Sequence, residues 1–166
     1  MTDSPAITDS PPTGVTRKIW YGNDIDTWAE VDYENPQVEE YYGGAETIHY
    51  RNYYCEELDG IFVNPLAGEY RFYTSCDGSV DFFFNKGSTA FDELAIVADN
   101  SNKNSGFRSY HHTGDGEGTP FTFAASGEQS RFTFRHCHST GDDYCSIGME
   151  YQVLATEDAL PTNPAL

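Results

Sequence analysis

Long apolar runs, positive charge and the common catalytic motifs are all scarce or missing in this sequence. No stretch approaches the roughly 20 apolar residues that a membrane-spanning helix needs. The opening segment, MTDSPAITDSPPTG, lacks the apolar h-region of a signal peptide. The chain is therefore expected to be a mature segment, or one excised from a longer precursor. Only 9 Lys and Arg stand against 27 Asp and Glu, a formal net charge of −18. Such a field repels a phosphate backbone or an anionic bilayer, so neither nucleic acid nor membrane insertion is expected. It attracts divalent cations. There is no Gly-x-Ser-x-Gly elbow, no His-Glu-x-x-His and no phosphate-cradling loop. The expectation is a non-enzymatic protein, although a hydrolytic carboxylate pair would be hard to see among 27 acidic residues. Asn-x-Ser/Thr sequons are absent as well.

What is present points to β structure. At 166 residues the chain can build one domain with a real core. Twelve Tyr, eleven Phe and two Trp supply the bulky rings that fill pleated, half-buried surfaces. Their runs are short and cut by Gly, Pro and Asp. Strands are expected near 17–21, 46–54, 57–63, 69–76, 79–85, 92–98, 120–124, 130–138 and 144–153. Weak helical periodicity occurs only in the acidic stretch 26–41. Asn64-Pro65-Leu66-Ala67-Gly68, Asp77-Gly78 and Thr140-Gly141-Asp142-Asp143 read as hairpin turns. Many short strands with closely spaced turns predict an all-β, antiparallel sandwich or jelly roll.

The expected organisation is an extended Pro/Ser/Thr tail over 1–16, a sandwich over 17–154 and an exit linker over 155–166. Tails of this kind join modules in arrays. Thr8, Pro11, Pro12 and Val15 are the candidate assembly residues, adding to an exposed sheet edge of a neighbour.

Cys55, Cys76, Cys137 and Cys145 form an even set without metal-finger spacing, which predicts two disulfides and an oxidising, extracellular compartment. Local geometry favours Cys55–Cys76 and Cys137–Cys145, each flanking a hairpin. Side-chain parity disagrees for the second pair: Cys137 points away from Phe132 and Phe134, whereas Cys145 shares the face of Ile147 and Met149. A Cys76–Cys145 core staple competes. His111, His112, His136 and His138 raise the question of zinc, and His136 and His138 share a strand face. No His/Cys spacing matches a closed structural zinc site, so none is expected. Trp20, Trp28, Tyr41 and Tyr42 are read as covers for the sandwich edges, with stacking on sugar rings as the second use.

The run from Leu58 to Ser79, with Gly60-x-Phe62, Pro65, Gly68-x-Tyr70-x-Phe72 and the acidic turn Cys76-Asp77-Gly78, resembles the protective-antigen-type β-sandwich in its fibrocystin-like branch. Arg17-Lys-Ile-Trp-Tyr-Gly22 is similar to that family's opening strand, and Gly127 to Phe132 with Ser146 to Met149 to its closing pair. The resemblance covers about residues 17–153. Independently of it, Pro65 and Gly68 are expected to fold the chain back so that Phe62, Tyr70 and Phe72 bury together. In lectin-like members of the family two consecutive Asp residues hold calcium, and the calcium holds sugar hydroxyls. Here the first of the pair is Cys76. The candidate calcium ligands are Asp77, Asp99, Asn100 and Asn102, the last three in an oxygen-rich loop. Two functions follow as expectations. The first is an extracellular structural module, a bead of a fibre or tandem array that associates with itself or its neighbours. The alternative is a calcium-dependent, glycan-binding adhesin domain.

Overall fold

A computed structural model describes residues 15–22, 25, 27–44, 46–48, 52–90, 95–99, 118–141 and 143–153. They form ten strands: β1 Val15–Tyr21, β2 Val38–Tyr42, β3 Glu46–Ile48, β4 Tyr54–Val63, β5 Gly68–Cys76, β6 Ser79–Asn85, β7 Ala95–Asp99, β8 Phe121–Phe123, β9 Gln129–His138 and β10 Tyr144–Val153. All strand pairings are antiparallel. One sheet runs β2-β1-β4-β9-β6-β7 and the other β3-β10-β5-β8. The all-β sandwich expected from the sequence is what forms.

Alternation builds the core. Leu58 on β4, Val80, Phe82 and Phe84 on β6 and Phe134 on β9 face inward from the large sheet. Tyr70, Phe72 and Cys76 on β5, Phe123 on β8 and Cys145 on β10 face them from the small one. Phe62, Tyr70 and Phe72 do bury together, with Phe62 centred 5.9 Å from Tyr70 and 5.5 Å from Phe72. They meet from opposite sheets. The Asn64–Ala67 turn carries the chain from one sheet to the other, so it is a corner and not the hairpin expected. Asp77-Gly78 (β5 to β6) and Ser139–Asp143 (β9 to β10) are corners too.

These corners overturn the local disulfide pairing. The strands on either side of these corners sit in different sheets, so the cysteines that flank them are not ladder partners. The bridges are Cys55–Cys137, joining β4 to β9, and Cys76–Cys145, joining β5 to β10. Each pair is directly opposed in its register. The parity argument thus points the right way: Cys137 lies on the outer face of the large sheet, whereas Cys145 lies in the core.

Glycine roles differ from expectation at Gly68. No left-handed φ is needed there; a Cβ at Gly68 would run into the Gln152 carbonyl of β10, so close approach fixes the residue. Gly78 does need its freedom, with φ +111°.

Three boundaries also differ. Val15, expected in the tail, pairs with Tyr42 in β1 and is buried. The strand expected over 46–54 is two pieces in different sheets. The acidic stretch yields a short 3-10 turn, Trp28–Glu30, and then β2, a mostly exposed edge strand.

On the outer face of the large sheet, Glu39, Lys18, Glu57, Arg135 and Asp81 stand side by side across β2, β1, β4, β9 and β6. The Nε of Arg135 donates to Glu57 at 2.9 Å. Beside this row the loop bearing Trp28 and Tyr33 folds over Trp20. Trp20 is buried, and its indole N–H donates to the Asp32 carbonyl at 2.8 Å. Arg135 lies over the rings of Trp28, Tyr33 and Phe83.

Candidate functional site

The sandwich has an aromatic end and a polar end. At the polar end the inward alternation of β4 continues past Leu58 to Glu56 and Tyr54, and that of β9 past Phe134 to His136 and His138. All four are buried. A buried carboxylate is tolerated only with a partner, and β1 supplies it: Arg17, itself buried, donates from Nε to Glu56 at 2.9 Å. Burial works against the Arg17 charge, but Glu56 outweighs it and raises the guanidinium pKa further.

Directly above this pair sits the acidic turn. The Asp77 N–H donates to the Tyr144 carbonyl at 2.9 Å. Its carbonyl accepts from Nε2 of His136 at 2.9 Å and faces Nδ1 of His138 at 3.3 Å. At Gly78 any Cβ would strike the Cys137 carbonyl. The Asp77 backbone is therefore clamped from below by two histidines and held at its sides by β9 and β10. Gly141 of the β9–β10 corner faces its carboxylate: a Cβ there would sit 3.9 Å from Oδ2. In the same corner Asp143 is buried and accepts from the Tyr54 hydroxyl at 2.9 Å. Burial first, then the charges of Glu56 and Asp143, push the Tyr54 pKa far up, so the phenol stays a donor. Burial lowers the His136 pKa, but Glu56 and the Asp77 carbonyl more than offset this and the net direction is upward.

Of the candidate calcium residues, Asp77 lies in this turn. Asp99 ends β7 opposite Asp81, at the same end of the sandwich. Asn100 and Asn102 fall outside the described residues, as do the assembly residues Thr8, Pro11 and Pro12 and the histidines His111 and His112. Tyr42 is half-buried and its hydroxyl donates to the Glu46 carbonyl at 3.0 Å. Trp20 and Trp28 pack on each other at 5.7 Å. Those three rings are covers. Tyr41 alone of the four stays open, at 74% exposed. The buried Arg17–Glu56 pair and Asp143 escaped the sequence reading. Parity could have revealed Glu56, two residues from Leu58 on the inward face.

A groove crosses the outer face of the large sheet, lined by Thr16, Lys18, Glu39, Glu57, Asp59 and Arg131. It holds carboxylates, but Glu57 is engaged by Arg135 and Asp59 by both Nε and Nη2 of Arg131, at 3.0 and 2.7 Å.

Solved structures share this architecture. The chain superposes on the PA14 domain of the MpAFP antifreeze protein with a TM-score of 0.58, over 92% of this chain and 93% of that one, at 15% identity. The fold is PA14-like. The epithelial adhesin 6 A domain of Candida glabrata, solved in complex with Galb1-3GlcNAc, matches with a TM-score of 0.55 over 93% of this chain and 85% of that one, at 13% identity. A β-glucosidase from Kluyveromyces marxianus, in complex with glucose, matches with a TM-score of 0.57 at 17% identity over 84% of this chain. The chain spans only 16% of that enzyme's length. No family model matches the sequence, and no curated protein matches it. Among the described residues, no helix is long and apolar enough to cross a membrane.

Proposed function

We propose that this chain is a non-enzymatic, extracellular adhesive module that binds glycans through the Asp77 end of its sandwich, with calcium held by Asp77 and by Asp99, Asn100 and Asn102. The observation that carries the reading is the clamped Asp77 turn: a carboxylate on stiff backbone at the end of a PA14-like sandwich, beside the end of β7. A preorganised oxygen ligand is what a calcium-bridged sugar site requires. The adhesin A domain solved with a disaccharide matches across nine-tenths of the chain, which supports the same reading. The two disulfides, with no free cysteine, support an oxidising compartment. Glu57 and Asp59 of the groove are held in arginine ion pairs, which supports binding over hydrolysis. A glycan array probed with and without calcium tests this. Calcium-dependent retention on particular glycans, lost in Asp77→Ala, is the expected outcome; no glycan retained under either condition refutes it.

One observation favours a second reading, the bead of a self-associating fibre. Among the described residues, β10 has no ladder partner beyond Ser146 on the side away from β5. That free edge carries exposed Met149, Tyr151 and Val153. Strand addition by a neighbouring module would cover it. Concentration-dependent oligomers in sedimentation, weakened by Tyr151→Lys, are expected on this reading, and a monomer at all concentrations removes it.

A further inference from the structure

We infer that His136, His138 and Asp143 form a site for a divalent transition metal of the zinc class, buried beneath the Asp77 turn and separate from the proposed calcium ligands. The alternation of β9 places both histidines on the inner face, and the β9–β10 corner brings Asp143 to them. Their ligand atoms all lie within 4.8 Å of one another, and all three residues are buried.

The hydrogen bonds dictate which nitrogens are available. The Asp77 carbonyl can only accept, so His136 faces it with Nε2–H and His138 with Nδ1–H. Nε2 of His138 is left as a lone-pair donor, and Nδ1 of His136, which faces the Glu56 carboxylate, becomes one when a metal displaces its proton. A backbone carbonyl holding the far N–H is the usual way a protein orients a metal-ligating imidazole. Here one carbonyl orients two. Nδ1 of His136 makes only long contacts, 3.4 Å to Glu56 and 3.4 Å to the Tyr54 hydroxyl. Nε2 of His138 is buried and has no hydrogen-bond partner. An acceptor left so is costly, and a metal ion satisfies it.

The third ligand is oriented as well. Tyr54 donates to Oδ1 of Asp143, which sets the plane of the carboxylate. Two imidazoles and a carboxylate suit zinc, nickel or copper, whereas calcium prefers oxygen alone. Thiolate ligation does not arise, because all four cysteines are in disulfides. An occupied site would also hold both histidines against the Asp77 carbonyl and stiffen the turn from below.

The test uses the full chain, stripped with chelator under refolding conditions and then loaded with Zn²⁺, with metal content read by mass spectrometry and affinity by calorimetry. One equivalent is expected in the wild type and in a His111→Ala/His112→Ala variant. His138→Gln and Asp143→Asn should lose it or bind at least tenfold more weakly, with the wild-type disulfide map intact. Zn²⁺ retained in His138→Gln but lost in the His111/His112 variant overturns the proposal. Should His138→Gln fail to fold, X-ray absorption on the wild-type Zn²⁺ form decides. A shell with two imidazole nitrogens supports the site, and an all-oxygen shell overturns it. Anomalous diffraction showing only a water at Nε2 of His138 would overturn it too.

Discussion

Replacing Cys76 and Cys145 together with Ala removes a staple between strands far apart in sequence, and the loop length sets the cost. The two residues are 69 apart, for which the chain-entropy relation gives about 4.4 kcal/mol at 25 °C. The 82-residue separation of Cys55 and Cys137 gives about 4.5 kcal/mol by the same relation. Hairpin pairing would have closed loops of roughly 21 and 8 residues, worth about 3.3 and 2.5 kcal/mol. The observed connectivity therefore predicts two large and nearly equal losses, and the hairpin connectivity two smaller and unequal ones. Cys76 lies inside the loop closed by Cys55–Cys137, so the remaining staple already restricts the unfolded chain and about 4.4 kcal/mol is an upper value. The expected fall in Tm is about 9–18 °C. Urea unfolding of the two double variants, compared at equal m-value, measures the losses. A loss below about 2 kcal/mol for Cys76→Ala/Cys145→Ala, or a non-reducing peptide map joining Cys55 to Cys76, would refute the reasoning.

Two further outcomes are expected. Phe72→Ala removes a ring centred 5.5, 5.1 and 4.9 Å from those of Phe62, Phe82 and Phe84, and should cost about 3–5 kcal/mol in the same urea assay. Glu56→Gln leaves the buried Arg17 guanidinium with the half-exposed Glu40 carboxylate, 3.4 Å away, in place of its buried partner and should cost about 3 kcal/mol; an unchanged midpoint would show that the pair is not buried in solution.

Much of this architecture is legible in the residues, because period-2 alternation of Phe and Tyr survives in any antiparallel sheet. The strands around Phe72, Phe82, Phe134 and Met149 fall close to where the pattern places them. Sheet membership is not legible. A Pro-containing turn and an Asp-Gly turn look the same whether they close a hairpin or turn a corner, and the cysteine pairing depends on that difference. Edge strand β2 was hidden because an exposed edge needs no apolar alternation. At the polar end, Asp77 is visible as an acidic turn, but its clamp is not. The histidines lie 59 and 61 residues from Asp77, and Tyr54 lies 89 residues from Asp143, so no local pattern shows the contacts that hold this end together.

The row of charges on the outer face of the large sheet bears on how the strands find their places. Sliding β1 along β4 by two residues keeps every inward side chain inward, so hydrophobic burial barely distinguishes the slipped pairing from the correct one. The charges do distinguish it. In the correct register Lys18 stands between Glu39 and Glu57, and Glu57 meets Arg135. A two-residue slide one way would set Lys18 beside Cys55 and put Thr16 against Glu57, so the cation would leave its place between two anions. The row acts as a vernier for strand alignment, reading a step size to which the greasy interior is blind, in a protein whose overall negative charge makes each of its nine cations a scarce positional mark.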